Sequence, residues 1–263
     1  TSVQSLSEYI WASESAHRDA YMTRQARLKK ITERITAIFQ RKPRKPKARF
    51  IPILPSTLCF DMHSDTTYST FKSGGISMIH VDIMDGLYVN KIAGSTAELK
   101  AIRSHTRAHL HVHLMTESPS VWAKDVINAG ADTVIISTNT SGVKNALREI
   151  KAAGRRCGIA LNPESDISIL KPILRDIDEV MIMAVKPGAA GQQFNPDVLR
   201  KISVLASTRK KYGLKFLISV DGGINDKTAQ MCWNAGADLL VSGSYLARAN
   251  DFSDAVQSML KKS

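Results

Sequence analysis

The chain has 263 residues, a net charge of +12 and 43% hydrophobic residues, an ordinary composition for one large α/β domain or two small ones with a sizeable core. No apolar run approaches the ~18 residues that a membrane-spanning helix requires, so no membrane span is predicted. Three scattered cysteines, Cys59, Cys157 and Cys232, argue against a disulfide framework or a thiolate metal site, and predict reduced thiols in the cytoplasm.

The positive charge is concentrated in residues 1–49, where twelve Lys and Arg side chains face only four carboxylates. Residues 5–40 are predicted to be helical, because apolar residues recur at helical spacing between 28 and 39. The two prolines within 41–47 end that helix and predict an extended basic linker. The sequence therefore predicts a helical, basic extension that precedes a separate domain over 50–263.

Two interpretations of this extension stay open. Basic runs are usually solvated faces, which favours a helix packed on the outside of the domain or on a second subunit, followed by a tether. The sharper alternatives are an anchor for nucleic acid or an anionic surface, and a basic localisation signal. Binding to nucleic acid or to an anionic surface is predicted only through residues 1–49.

From residue 50 onward the sequence alternates between short apolar runs and helical stretches. The predicted strands are 50–54, 77–82, 109–114, 132–137, 156–161, 178–184, 216–220 and 238–242. The predicted helices include 141–153, 195–212 and 250–262. Eight such units in about 210 residues predict a (β/α)₈ TIM barrel, with a doubly wound sheet as the alternative.

A histidine and an aspartate lie two residues apart at the end of the second predicted strand. Side chains alternate between the faces of a strand, so His80 and Asp82 point the same way. An imidazole and a carboxylate on one face supply half of a metal site. His113 and Asp221, at two further strand ends, supply the other half.

This set of nitrogen and oxygen ligands predicts one divalent metal ion. Zn²⁺ is the preferred ion, and Fe²⁺ and Mn²⁺ accept the same ligands. His109, His111 and His113 share one strand face. We place His111 one layer below the site and do not predict it to be a ligand.

A series of short motifs follows along the chain in a fixed order. The motifs are Pro55-Ser56-Thr57-Leu58, His80 to Gly86 with Tyr88-Val89, Val112-His113-Leu114-Met115, Ala160-Leu161-Asn162-Pro163, Met183 to Gln192, Val220-Asp221-Gly222-Gly223 and Val241-Ser242-Gly243-Ser244. Together they resemble the ribulose-phosphate 3-epimerase family of pentulose- and hexulose-phosphate 3-epimerases. The resemblance covers residues 50–262 and implies a (β/α)₈ isomerase.

The resemblance also implies a reaction, the interconversion of D-ribulose 5-phosphate and D-xylulose 5-phosphate. One acid removes the C3 proton, a metal-stabilised enediolate forms, and a second acid returns a proton to the opposite face. By resemblance Asp82 and Asp221 are this pair and also metal ligands, together with His80 and His113. Family members are commonly oligomeric, so a homo-oligomer is predicted.

Further positions are assigned to the substrate by the same resemblance. Met84, Met115 and Met183 would line the intermediate, and Ser56 would contact the substrate. Phosphate is expected at loops that follow the later strands. The residues predicted there are Gly188, Gly191, Gly222, Gly223, Gly243 and Ser244.

Each of these residues also has an ordinary structural interpretation. A single strand histidine is often a hydrogen-bonded core residue, and an aspartate before two glycines is often part of a turn. Methionines commonly fill barrels. The combination of all four metal-ligand residues in family order favours the functional interpretation over these.

The chain departs from the family pattern around the sugar. The loops over 87–91 and 186–190 differ, with Lys186 where an asparagine or an acid is usual, and His111 replaces a usual aspartate. These changes motivate two alternatives. One is an epimerase of a related ketose phosphate such as allulose 6-phosphate, and the other is a catalytically silent barrel that acts as a binding or regulatory protein through its basic N-terminus.

Overall fold

The computed structural model describes residues 50–138 and 140–260 of the chain. The helix predicted over 5–40 and the linker over 41–47 lie outside these residues. The extension over 1–49, and the division of the chain at residue 50, therefore stay predictions.

One curled sheet forms the centre of the described structure. Its strands are β1 (Ile53–Pro55), β2 (Met78–Asp85), β3 (Ile92–Ala93), β4 (His109–Met115), β5 (Thr133–Ser137), β6 (Arg156–Leu161), β7 (Glu179–Met183), β8 (Leu217–Asp221) and β9 (Leu239–Ser242). The order is β1-β9-β8-β7-β6-β5-β4-β2-β3. All neighbours are parallel except β2 and β3.

The two ends of the parallel sheet meet at Ser56. This residue forms a parallel bridge with His80 on β2, and its backbone N–H donates to Ser242 O on β9 at 3.1 Å. The eight parallel strands therefore curl round into a barrel. The predicted TIM-barrel fold class is confirmed, and the alternative of a doubly wound sheet is wrong.

Helices cover the strands on the outside. They are α1 (Asp65–Ser73), α2 (Thr96–His105), α3 (Pro119–Asn128), α4 (Val143–Ala152), α5 (Val198–Lys211), α6 (Asp226–Ala235), α7 (Ser244–Ala247) and α8 (Phe252–Met259). The three helices predicted by position correspond to α4, α5 and α8, each of which is shorter at both ends than predicted. The sequence did not predict β3, because two partly exposed residues give no alternating pattern. No helix within the described ranges is long and apolar enough to cross a membrane.

Alternate side chains of each strand point into the barrel, where most of them are apolar. One buried cluster consists of Leu54, Met78, Ile135, Ala160, Met181, Met183, Leu239 and Val241. This packed interior fixes the strands relative to one another. It therefore also fixes the polar side chains that the strands carry.

Three aspartates tie neighbouring strands together at their amino-terminal ends. Asp132, Asp178 and Asp238 each directly precede a strand. Their carboxylates accept the backbone N–H groups of Leu110, Cys157 and Ile218 at 2.9, 3.0 and 2.8 Å. Buried N–H groups at this end of the barrel are thereby satisfied, far from the motif residues.

We expect Asp132→Ala to lower the free energy of unfolding by about 1–3 kcal/mol, because the buried N–H of Leu110 loses its acceptor. Arg103 and Arg155 lose the same carboxylate, at 2.8 and 3.3 Å. Urea unfolding measures the change. Asp197→Ala is the control, since the side chain of Asp197 makes no capping hydrogen bond. Equal stability of the two variants would contradict this role of Asp132.

Candidate active site and metal centre

Four side chains meet where the carboxyl ends of three strands converge. His80 and Asp82 come from β2, His113 from β4 and Asp221 from β8. One ligand atom from each lies within 4.8 Å of the others. These are the four residues that the sequence predicts as metal ligands, so the fold brings the whole set together.

Asp82 lies at the centre of this cluster. Its Oδ1 is 3.1 Å from His80 Nε2 and 3.4 Å from His113 Nδ1, and its Oδ2 accepts the hydroxyl of Ser56 at 3.2 Å. His80 Nε2 is also 3.9 Å from Asp221 Oδ2. Both histidines are fully buried, so the solvent does not reach their rings.

The protonation of His113 suits a metal ligand. Ser137 Oγ donates to Leu114 O at 3.2 Å, so it is free to accept the Nε2–H of His113 at 3.3 Å. That tautomer leaves a lone pair on Nδ1, which faces the cluster. Nδ1 is buried and has no hydrogen-bond partner in the described structure. An unpartnered buried nitrogen beside two carboxylates fits a divalent cation.

The two carboxylates differ in their electrostatic surroundings. Burial raises the pKa of Asp82, but the attraction of His80 outweighs burial and holds the pKa well below its usual range. Burial, reinforced by repulsion from Asp82, raises the pKa of Asp221 to about 7 even though His80 opposes the shift. One carboxylate is therefore held ionised, while its neighbour can carry a proton near neutral pH.

A cavity opens directly above the cluster, at the mouth of the barrel. Its wall contains Asp82 and Asp221 and every residue that the sequence assigns to the substrate. These are Ser56, Met84, Met115, Met183, Gly188, Gly191, Gly222, Gly223, Gly243 and Ser244. His80 and His113 lie buried beneath this wall. Cys59, which the motifs do not single out, also lines it.

Two glycines after β8 allow the loops of the cavity to approach closely. Gly222 and Gly223 have φ values of 109° and 66°, a region that side chains other than glycine rarely adopt. A Cβ on Gly223 would lie 2.5 Å from the backbone nitrogen of Phe194. The loops after β7 and β8 therefore pack directly against each other at the cavity.

Comparison with known proteins identifies the family. Residues 52–247 match the sequence model of the ribulose-phosphate 3 epimerase family. This chain belongs to the ribulose-phosphate 3-epimerase family. The family predicted from the motifs and the isomerase class of enzyme are thereby confirmed.

Relatives from this epimerase family match over most of their length. The ribulose-phosphate 3-epimerase of Treponema pallidum is 33% identical over 216 residues, which are 81% of this chain and 97% of the relative. That of Bacillus subtilis is 34% identical over 78% of this chain and 96% of the relative. That of Chlamydia pneumoniae is 37% identical over 68% of this chain and 80% of the relative.

Solved structures resemble this epimerase-family chain in fold alone. The 3-hexulose-6-phosphate synthase of Salmonella typhimurium superposes with a TM-score of 0.57 at 17% identity, over 79% of this chain and 96% of that structure. The orotidine 5'-phosphate decarboxylase of Pyrococcus horikoshii OT3 gives 0.56 at 16% identity, over the same shares.

Sequence reasoning missed the contacts that hold the mouth loops of this family member. Asn162 Nδ2 donates to Tyr88 Oη at 3.1 Å, which joins the loop after β2 to the end of β6. Asp85 accepts the backbone N–H groups of Leu87 and Tyr88 at 2.9 and 3.0 Å with one oxygen, and that of Glu117 at 2.8 Å with the other. The sequence marked Tyr88 and Asn162 as motif positions, but their separation of 74 residues hides the contact.

We expect Tyr88→Phe to loosen the loop over 86–91, because it removes the hydrogen bond to Asn162. Loss of one such bond, worth about 0.5–1.5 kcal/mol, predicts amide hydrogen exchange up to about tenfold faster in this loop. Exchange in β2 should not change. The control is Tyr245→Phe, which removes a hydroxyl contact with Ser258 instead. Unchanged exchange in the loop would show that the hydrogen bond to Asn162 does not hold it.

Proposed function

We propose that this chain is a metal-dependent 3-epimerase that interconverts D-ribulose 5-phosphate and D-xylulose 5-phosphate. The observation that carries the proposal is the pairing of Asp82 and Asp221 beside two histidines, at the floor of the cavity. The relatives that match this chain over most of their length are named ribulose-phosphate 3-epimerases, which supports the same substrate.

Asp82 and Asp221 are the proposed acid/base pair. Inversion at C3 requires one carboxylate that removes a proton and a second carboxylic acid that delivers a proton to the opposite face. The two groups must therefore differ in protonation at the start of each turnover. The opposed pKa shifts of Asp82 and Asp221 supply that difference, and their roles exchange when the reaction runs in reverse.

His80, Asp82, His113 and Asp221 are the proposed metal ligands. A divalent ion held by them would lower the free energy of the negative charge that develops on the substrate oxygens. Zn²⁺ is the preferred ion, with Fe²⁺ and Mn²⁺ as alternatives, because all three accept imidazole and carboxylate ligands. The lone pair of His113 Nδ1 is already directed at the cluster.

The three methionines protect the proposed intermediate. Met84, Met115 and Met183 lie at the cavity wall and are at most 3% exposed. A thioether carries no exchangeable proton and excludes water from a planar enediolate. Proton return is then restricted to the two carboxylates.

The glycine loops after β7, β8 and β9 are the proposed phosphate site. Residues of these loops line the cavity, where their backbone N–H groups could donate to an anion. Lys186 is exposed beside them and adds positive charge at the mouth. A homo-oligomer and a cytoplasmic location stay predictions, as does any role of residues 1–49.

The first test is incorporation of solvent deuterium at C3 of D-ribulose 5-phosphate, followed by NMR in D₂O. We expect exchange together with formation of D-xylulose 5-phosphate. Asp82→Asn and Asp221→Asn should each lower the rate about 10²–10⁴-fold, because each removes one proton carrier. Glu117→Gln is the control, since this exposed carboxylate stands at the same end of the barrel but outside the cavity wall.

The outcomes separate the alternatives. Exchange with allulose 6-phosphate but not with D-ribulose 5-phosphate would assign the altered loops to a larger sugar. No exchange with any ketose phosphate, with each of the three metal ions added, would contradict the enzyme and favour a binding protein. Salt-dependent binding to nucleic acid that is lost on deletion of residues 1–49 would then support that alternative.

Removal of the metal gives an independent prediction. A chelator should abolish the epimerase activity, and Zn²⁺, Fe²⁺ or Mn²⁺ should restore it. His113→Gln should weaken metal binding, measured by titration against a competing chelator, because an amide replaces the imidazole nitrogen, which is the stronger ligand. His105→Gln, at an exposed helical histidine, should leave the binding unchanged. Full activity after exhaustive metal removal would disprove the metal dependence.

A further inference from the structure

A chain of buried polar groups extends from the metal cluster into the barrel interior. His80 Nδ1 lies 2.9 Å from His111 Nδ1, and His111 Nε2 lies 2.7 Å from Glu179 Oε1. The three residues belong to β2, β4 and β7, so this series of hydrogen bonds crosses the barrel. Both histidines are 0% exposed and Glu179 is 1% exposed. Neither His111 nor Glu179 lines the substrate cavity.

The strand beside Glu179 packs closely against it. On the neighbouring strand, a Cβ on Gly158 would lie 2.8 Å from Glu179 O and 3.0 Å from Glu179 Cβ. The same atom would lie 2.4 Å from Ile135 Cδ1, so no larger residue fits without displacement. A buried carboxylate is costly unless it is paired. Burial raises the pKa of Glu179, but His111 outweighs burial and lowers the pKa to about 2.

When His111 is neutral, the hydrogen bonds of this series have one consistent direction. An ionised Glu179 only accepts, so His111 donates its Nε2–H to it. A neutral His111 then has a lone pair on Nδ1, and it accepts the Nδ1–H of His80. Nδ1 of His80 is thereby protonated, and its Nε2 is the nitrogen that faces Asp82 and Asp221. A histidine that ligates a metal through Nε2 must carry its proton on Nδ1.

We propose that Glu179 is a positioning residue, which acts through His111 to fix the tautomer and ring orientation of His80 so that Nε2 is presented to the metal cluster. This inference rests on the proposed metal site. In many metal sites a carboxylate contacts the ligating histidine directly. Here a second imidazole separates them, and the carboxylate comes from the opposite side of the barrel.

Zn²⁺ titration of the whole chain against a competing chelator tests the proposal. Glu179→Gln keeps the size of the side chain but removes the charge that polarises both imidazoles. We expect it to weaken Zn²⁺ binding about 10–100-fold, the usual effect of losing a partner of a ligating histidine. Thr133→Val is the matched control. Thr133 lies on β5, and its buried hydroxyl contacts His109, which shares β4 with His111, at 2.7 Å. Removal of this hydroxyl should leave the Zn²⁺ affinity unchanged.

A rescue variant separates positioning from stability. The Oδ1 atom of an aspartate and the Nδ1 atom of a histidine are separated from Cα by the same number of bonds, so the two atoms can occupy similar positions. The double variant His111→Asp/Glu179→Leu would therefore place a carboxylate directly against His80 Nδ1 and leave the number of buried carboxylates unchanged. We expect it to recover most of the Zn²⁺ affinity that Glu179→Gln loses. The single variant His111→Asp should be less stable, because it buries two carboxylates close together.

Side-chain ¹⁵N NMR reads the tautomers directly. In the wild type we expect His80 protonated at Nδ1, and His111 protonated only at Nε2. An unprotonated His80 Nδ1, or equal Zn²⁺ affinities for wild type and Glu179→Gln, would overturn the proposal. If the wild type binds none of the three metal ions, the proposed metal dependence fails. The His80 tautomer in the metal-free protein then decides the positioning role by itself.

Discussion

The register between β2 and β4 is the constraint on which the site depends. Residues pair directly across the two strands, His80 with His111, Asp82 with His113 and Met84 with Met115. Because alternate residues face inward, the three pairs form successive layers from the interior to the mouth. The layers contain two imidazoles, then an aspartate and a histidine of the four-residue cluster, then two thioethers. A slip of one residue would turn the three side chains of the slipped strand outward and break up all three layers.

The two ends of the barrel divide stability from chemistry. At the amino-terminal ends of the strands, three carboxylates are satisfied by backbone N–H groups and, at Asp132 and Asp238, by arginines. At the carboxyl ends the carboxylates face one another and histidines. Repulsion between like charges and burial there raise the free energy of the folded protein. A rigid apolar interior between the ends holds them there. This division is typical of TIM barrels.

The buried histidines illustrate two ways in which a protein satisfies polar groups. His111 has a partner for each ring nitrogen, and its contacts end in a carboxylate. His113 has a partner for Nε2, while its Nδ1 stays open towards the cluster. A fully satisfied ring holds structure, whereas an open lone pair beside carboxylates suits a cation. The same residue type therefore serves two purposes within one strand.

The sequence by itself determined the fold class, the family and the four residues that cluster, because the alternation of side chains along each strand is a local property and the order of the motifs is written in the chain itself. It also placed His111 one layer below the site. Only the tertiary structure decided the contacts across the barrel, where Glu179 reaches His111 over 68 residues and Tyr88 meets Asn162 over 74. Such pairs depend on barrel closure and on space left by residues such as Gly158, and neither leaves a periodic signal in the chain.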